Sequence, residues 1–212
     1  MLNHEVFSPW RSHLRSHRAG WSLAFLAACA AVLTWWGGEA VLFPSVSGQE
    51  PVSASGAGFM PLLSGCAVVL SCTDGMGRFS SVAAVPRHRV LALHLTAAVT
   101  VAVLLSCVAL ALSGAAESIP LAVRNLLGFT GAAALCAAVL GFRSAWILPL
   151  VQAVAAFMVG SPGAGGAHAR WWEWPRAAST DGGSWAVCGA LAAVGVGALL
   201  LRNRRTGMPE GR

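Results

Sequence analysis

Residues 90–114 read VLALHLTAAVTVAVLLSCVALALSG, a run without a single Asp, Glu, Lys or Arg. A helix needs about 20 such residues to cross the roughly 30 Å of hydrocarbon in a bilayer, and the buried helices of water-soluble domains seldom stay apolar for so long. Five more stretches of this kind lie around it. The set, each of about 17 to 25 residues, runs Gly20–Gly38, Ala57–Thr73, Val90–Gly114, Leu121–Gly141, Ser144–Gly160 and Gly183–Leu201, the second and fifth being the shortest. The pattern implies an all-α membrane protein with six transmembrane helices, multi-pass in the cell membrane, with the lipid bilayer as its first partner.

Composition points the same way. With 56% hydrophobic and 10% charged residues and a mean hydropathy of +0.67, the chain has too little polar surface to solvate a 212-residue globule. No polar interval reaches the roughly 50 residues of a small independent domain. The expected organisation is a cytoplasmic amphipathic segment at 1–19, one six-helix membrane domain at 20–201 and a basic cytoplasmic tail at 202–212.

All fourteen cations are Arg. If the N-terminus is cytoplasmic, eleven of them fall on the cytoplasmic side and only Arg124, Arg170 and Arg176 fall outside, a strong positive-inside bias that puts both termini in the cytoplasm. Absence of Lys excludes a Walker A loop and Lys-based catalysis, so any ATP this protein uses is hydrolysed by another chain. The charge sits at membrane boundaries, which points to headgroups and not to nucleic acid.

Cys29, Cys66, Cys72, Cys107, Cys136 and Cys188 all fall inside the apolar spans and none pairs in a CxxC spacing, so they read as small packing residues, with no metal site and no cofactor implied. Within the spans ionisable groups are scarce. Arg124 stands near the outer end of the fourth span, where it can snorkel to the interface, and His94 stands one turn into the third, placed to bond a neighbouring helix. Ion-coupled carriers need more than this.

Before the first span, Ser8 can cap and Pro9 suits the first turn of a helix that sets Phe7, Trp10 and Leu14 against Arg11, Arg15 and Arg18. An interfacial amphipathic helix or a plain basic tail both fit. The cytoplasmic stretch Asp74–Arg89, DGMGRFSSVAAVPRHR, has Gly75 and Gly77 at the membrane exit, a helix-compatible run from Arg78 and a break at Pro86. It suits either a basic connector or a short helix on which a cytoplasmic motor subunit can push. Residues 161–182 form an external Trp-rich interval in which Trp171, Trp172 and Trp174 suit the headgroup level. In the sixth span Gly189, Ala193 and Gly197 make a small-residue ladder for close helix packing, toward a partner or toward the bundle interior. Ser53-Ala54-Ser55-Gly56 resembles the GxSG of rhomboid proteases, but it lacks the leading Gly and lies in a loop.

The chain as a whole resembles the membrane-spanning permease subunit of ABC transporters of the ABC-2 type, in the small six-span form of GC-rich bacteria. The likeness lies in the amphipathic N-terminal segment, SSVAAVPRHRVLALHL at 80–95, RNLLGFTG at 124–131, GFRSAWILPL at 141–150 and WWEWPRAAST at 171–180. Phe79, Ser80 and Ser81 stand where the family commonly places an acidic residue. The resemblance implies a non-enzymatic subunit of an exporter, working as a homo- or heterodimer with a second permease chain and powered by separate ABC ATP-binding subunits. The loop 74–89 would then be the ATPase-coupling element, with Arg78, Phe79, Arg87 and Arg89 as its contact residues, and 161–182 would dip into the outer mouth. The other reading is a non-transporting integral membrane accessory or assembly protein.

Overall fold

The computed structural model describes residues 19–44, 51–73, 87–160 and 170–205. Six apolar helices follow one another: α1 (Ala19–Trp36), α2 (Gly56–Leu70), α3 (Arg87–Leu112), α4 (Ile119–Leu140), α5 (Ile147–Val154) and α6 (Gly182–Arg205). A 3-10 turn at Phe142–Ser144 leads into α5 and a π-helical turn at Ala155–Val159 extends it. Four of these units are long and apolar enough to cross a membrane: His88–Leu112, Ala116–Leu140, Phe142–Val159 and Gly182–Arg204. The helices α1 and α2 are shorter. The fold is all-α in its bundle, as the apolar runs require, and every helix falls within a few residues of its expected place. The fifth span, among the shortest on sequence, reaches its length through the two irregular turns.

Chain reversals follow local chemistry. Gly114 and Gly141 take positive φ (76° and 96°), the left-handed conformation that ends α3 and α4 and that a side chain would disfavour. Pro120 sits in the first turn of α4, where its missing N–H costs no helical bond. Between α1 and α2, where Ser53–Gly56 read as loop, the chain forms an antiparallel hairpin of β1 (Ala40–Phe43) and β2 (Val52–Ser55), with Ala40 opposite Ser55 and Phe43 opposite Val52. Phe43 anchors it: its ring stacks on Phe157 at 5.2 Å and meets Phe59 edge-on at 5.7 Å. Aromatic pairs of this kind add about 0.5 to 1.5 kcal/mol to simple burial.

The centre of the bundle is α4. Two-thirds (67%) of its apolar window is buried inside the protein, against 22 to 28% for the other three long units. The run GFTGAAALCAA gives the reason, since small side chains let neighbouring helices close in on every face. A Cβ on Gly131 would strike the backbone of Leu191 and Ala192 in α6, and one on Gly195 would strike the Gly131 carbonyl, so α4 and α6 touch backbone to backbone. Gly65 of α2 packs somewhat less tightly on Phe129 and Thr130, where a Cβ would come within 2.9 Å of the Thr130 nitrogen. The outward faces carry large apolar side chains such as Leu93, Leu104, Val108 and Val194, as a lipid-facing surface does.

The two ends of the bundle differ in charge. The hairpin end carries Glu39, Glu117, Glu173 and Asp181 together with Arg124, Arg170 and Arg176; the opposite, basic end carries Arg89, Arg143, Arg202 and Arg204 and, among the described residues, no acid. Arg202 caps the end of α4, its Nη1 donating to the carbonyls of Ala137 (2.9 Å) and Ala138 (2.8 Å). Ser71 and His94 bond at 3.1 Å between α2 and α3, the inter-helix role expected of that histidine. Two boundaries shift: Arg87–Arg89 belong to the first turn of α3 and not to the loop before it, and α6 continues through Arg205 into the segment assigned to the tail. The amphipathic segment 1–18 and the loop 74–86, with Arg78 and Phe79, lie outside the described residues.

Candidate functional site

The most chemically distinctive part of the molecule is the hairpin end, where residues 170–181 fold back against the bundle between α5 and α6. Arg170 is extended, Trp171–Glu173 make a 3-10 turn, and the bonds Arg176 N to Glu173 O (2.9 Å) and Ala177 N to Trp174 O (3.3 Å) continue the turning. Glu173 closes the turn from within, its carboxylate accepting from the Arg170 N–H at 3.0 Å. Within this segment the carbonyls of Trp174 and Ala178 each accept one backbone N–H, from Ala177 and Asp181, while those of Pro175 and Ala177 accept none among the described residues, and buried carbonyls must be satisfied.

Arg124 and Asn125, one turn and a half into α4, supply the donors. The Arg124 guanidinium donates to the carbonyls of Ala178 (2.7 Å), Trp174 (2.8 Å) and Ala177 (2.9 Å), and to Asn125 Oδ1 at 3.1 and 3.2 Å. Asn125 Nδ2 donates to Pro175 and to Gly58 of α2, both at 2.8 Å. Both side chains are fully buried. A guanidinium is suited to this task because it stays charged and presents five donors in a rigid plane to the negative end of a helical turn. Each hydrogen bond involving a charged group contributes about 1.5 to 3 kcal/mol. Arg124 is therefore not the interfacial, snorkelling residue that its position near the end of a span suggests; it is an internal strut.

Three further contacts lock the segment. Gln152 of α5 donates to the Trp172 carbonyl, Arg176 reaches the Ala156 carbonyl of the π turn at 3.1 Å, and the Trp174 ring lies 4.8 Å from that of Phe129. A Cβ on Gly128 would come within 2.7 Å of the Trp174 ring, so glycine is what opens the seat for the indole. Glu173 is wholly buried and faces Arg176. Burial pulls the Arg176 guanidinium below its ordinary value while Glu173 opposes that shift.

The three tryptophans thus divide. Trp171 is 76% exposed and suits an interface, Trp172 is half-buried, and Trp174 is 1% exposed and belongs to the core instead of a headgroup belt. Their spacing is blind to this, because the 3-10 turn leaves Trp171 outward and carries Trp174 inward. The ladder Gly189, Ala193 and Gly197 faces outward: Gly189 and Gly197 have open space where a Cβ would stand, and the contact with α4 runs through Gly195 on another face. Arg89 is exposed at the start of α3, remote from the Arg124 strut. Among the described residues no three His, Cys, Asp or Glu side chains gather where a metal could bind. Ser53 and Ser55 lie in β2.

Sequence reasoning passed over Arg124, Asn125, Gln152, Glu173 and Arg176 as a connected group. One signal was available, since a charged and an amide residue side by side inside an apolar span face the protein interior by default. No protein-family model, no curated protein and no solved structure matches this chain.

Proposed function

We propose that this chain is the membrane-spanning permease subunit of an ATP-driven exporter of the ABC-2 type, pairing with a second permease chain and with separate ATP-binding subunits. The observation that carries the reading is the 170–181 segment. Between the last two helices the chain turns back against the bundle and is held there by Arg124, which supports the outer segment that the resemblance implies for 161–182, with Trp174 seated against Phe129 and not at the headgroup level.

In this reading six helices cross the cell membrane, both termini and the loop 74–89 face the cytoplasm, and the hairpin end is external. The short helix α1 fits because Trp21 and Trp35 point outward (81% and 90% exposed) about 21 Å apart along it, where indoles anchor at two interfaces while the bilayer thins locally. Power comes from outside the chain, since it has no Lys for a P-loop, and the buried Arg124 is committed to backbone carbonyls instead of a proton relay.

The test is co-purification with candidate ATP-binding proteins encoded beside this chain, followed by ATPase assay in lipid. The isolated chain is expected to be inactive and the complex active, with Phe79→Ala releasing the ATPase or uncoupling it from transport. Hydrolysis by the isolated chain, or a chain that never binds an ATPase, overturns the permease reading and leaves the accessory one.

A further inference from the structure

At the basic end the first turns of α3 and the last turns of α6 enclose a cleft of about 360 Å³. Its chemistry is two-sided. Arg89 and His88 of α3 and Arg204 of α6 form the rim, and Ala92, Gly197 and Leu201 line the wall. The positions 197, 201 and 204 on α6, like 88, 89 and 92 on α3, recur at helical spacing, so each helix contributes a single stripe.

Several observations set this cleft apart from a merely basic membrane edge. Arg202, the next cation along α6, is occupied as the cap of α4, whereas Arg89 and Arg204 have no hydrogen bond or ion pair among the described residues. Every described acid lies at the opposite end of the bundle, so among the described residues no carboxylate neutralises the rim. Below the rim the wall is apolar, and Gly197 leaves open space where a side chain would fill the cleft. From Gly197 the outward small residues Ala193 and Gly189 continue along α6 as a shallow track on the lipid-facing side.

We infer that this cleft binds one anionic phospholipid, its phosphate between Arg89 and Arg204 and an acyl chain laid over Gly197 and along the Ala193 and Gly189 track. A phosphate headgroup supplies the negative charge that the two guanidiniums lack, and basic pockets between membrane helices take such headgroups. A hydrocarbon tail suits the track because it needs no hydrogen-bond partner and no depth. Free phosphate would use the rim alone and leave the apolar wall empty. The site is independent of whether the chain transports anything.

Native mass spectrometry of the detergent-solubilised chain tests this with dioleoyl phosphatidylglycerol, dioleoyl phosphatidylcholine and inorganic phosphate as probes. One phosphatidylglycerol is expected to be retained in preference to phosphatidylcholine. An arginine at a lipid surface is worth about fivefold in binding, so the double variant Arg89→Ala, Arg204→Ala should lose about 25-fold. Gly197→Leu, which places its side chain in open space, should reduce retention while leaving the helix content unchanged, and Arg143→Ala, a basic-end cation outside the cleft, should leave retention at the wild-type level. Equal retention of the two lipids, an equal loss in Arg143→Ala, full retention in Gly197→Leu, or displacement of the lipid by millimolar inorganic phosphate each overturns the assignment. Should the double variant misfold, Gly197→Leu alone decides.

Discussion

Arg124 reaches the Trp174 carbonyl at 2.8 Å, while the indole of that same Trp174 rests against Phe129 a little further along α4. One helix therefore holds one residue twice, by charge at its backbone and by packing at its ring. The pair converts a loop between two helices into part of the core.

Arg124→Ala is expected to leave the Ala177 carbonyl without a partner and to strip the charged bond from the carbonyls of Trp174 and Ala178, which still accept from the N–H groups of Ala177 and Asp181. Each hydrogen bond to a charged group contributes about 1.5 to 3 kcal/mol, so losing three should cost more than about 3 kcal/mol and fall mainly on local closure of the segment. Introduced at Ala177, which is 1% exposed, a cysteine should resist a membrane-impermeant maleimide in the native background and react in the Arg124→Ala background. Arg124→Lys should recover little, since one ammonium cannot span three carbonyls in the plane that a guanidinium covers. Protection of Ala177→Cys in both variants would remove Arg124 from its role as strut.

Glycine positions separate packing from open surface. Gly131→Ala must drive a methyl into the backbone of Leu191 and Ala192, neither of which can rotate aside, and overpacking of this kind costs about 1 to 3 kcal/mol or more. Gly189→Ala meets nothing within 4 Å and gains helix propensity, so it should be neutral or slightly stabilising. Thermal unfolding in detergent that ranks Gly189→Ala below Gly131→Ala in stability would mean that α6 packs through the other face.

The contrast explains which parts of this protein are legible in its sequence. The positions of the six helices follow from the lengths of apolar runs, because the bilayer requirement acts on each run separately. Which face of α6 meets α4 does not, since Gly189, Ala193 and Gly197 compete with Cys188, Gly195 and Leu199 as equally small or apolar stripes, and only the opposing Gly131 chooses between them. The Arg124 strut is hidden for another reason: its acceptors are backbone carbonyls of residues 174 to 178, and any sequence supplies carbonyls. The segment WWEWPR reads the same whether its rings lie at an interface or half inside the bundle. Only the turn at Trp171–Glu173 sends Trp174 inward.

Topology can be read with the native cysteines in place, because five of the six are buried and Cys107 is half-buried within α3. Glu117→Cys, in the turn between α3 and α4, should react with an impermeant maleimide added outside intact cells. Arg143→Cys, in the turn between α4 and α5, should react only after the cells are opened. The reverse pattern would invert the chain and place the basic end outside, against the charge bias; reaction of both from one side would break the six-span reading.

The start of α6 carries a titratable cap. Asp181 accepts hydrogen bonds from the Ser184 hydroxyl and from the Ser184 N–H, the latter at 2.8 Å, and these bonds hold its carboxyl below the ordinary carboxylate value. As a cap at a helix N-terminus it should be worth about 0.5 to 2 kcal/mol, measured as the loss in Asp181→Ala at neutral pH. Because the folded-state value is depressed, the charged cap contributes in full above the unfolded-state value of about 3.9 and loses its contribution as the pH falls through the lower folded-state value. Thermal unfolding of the wild type and of Asp181→Asn should therefore differ at pH 7, keep that difference down to about pH 5, and converge in stronger acid. A gap of constant size across that range would assign the effect to the shape of the side chain, and a gap that widens in acid would mean that the carboxylate is not the group that caps α6.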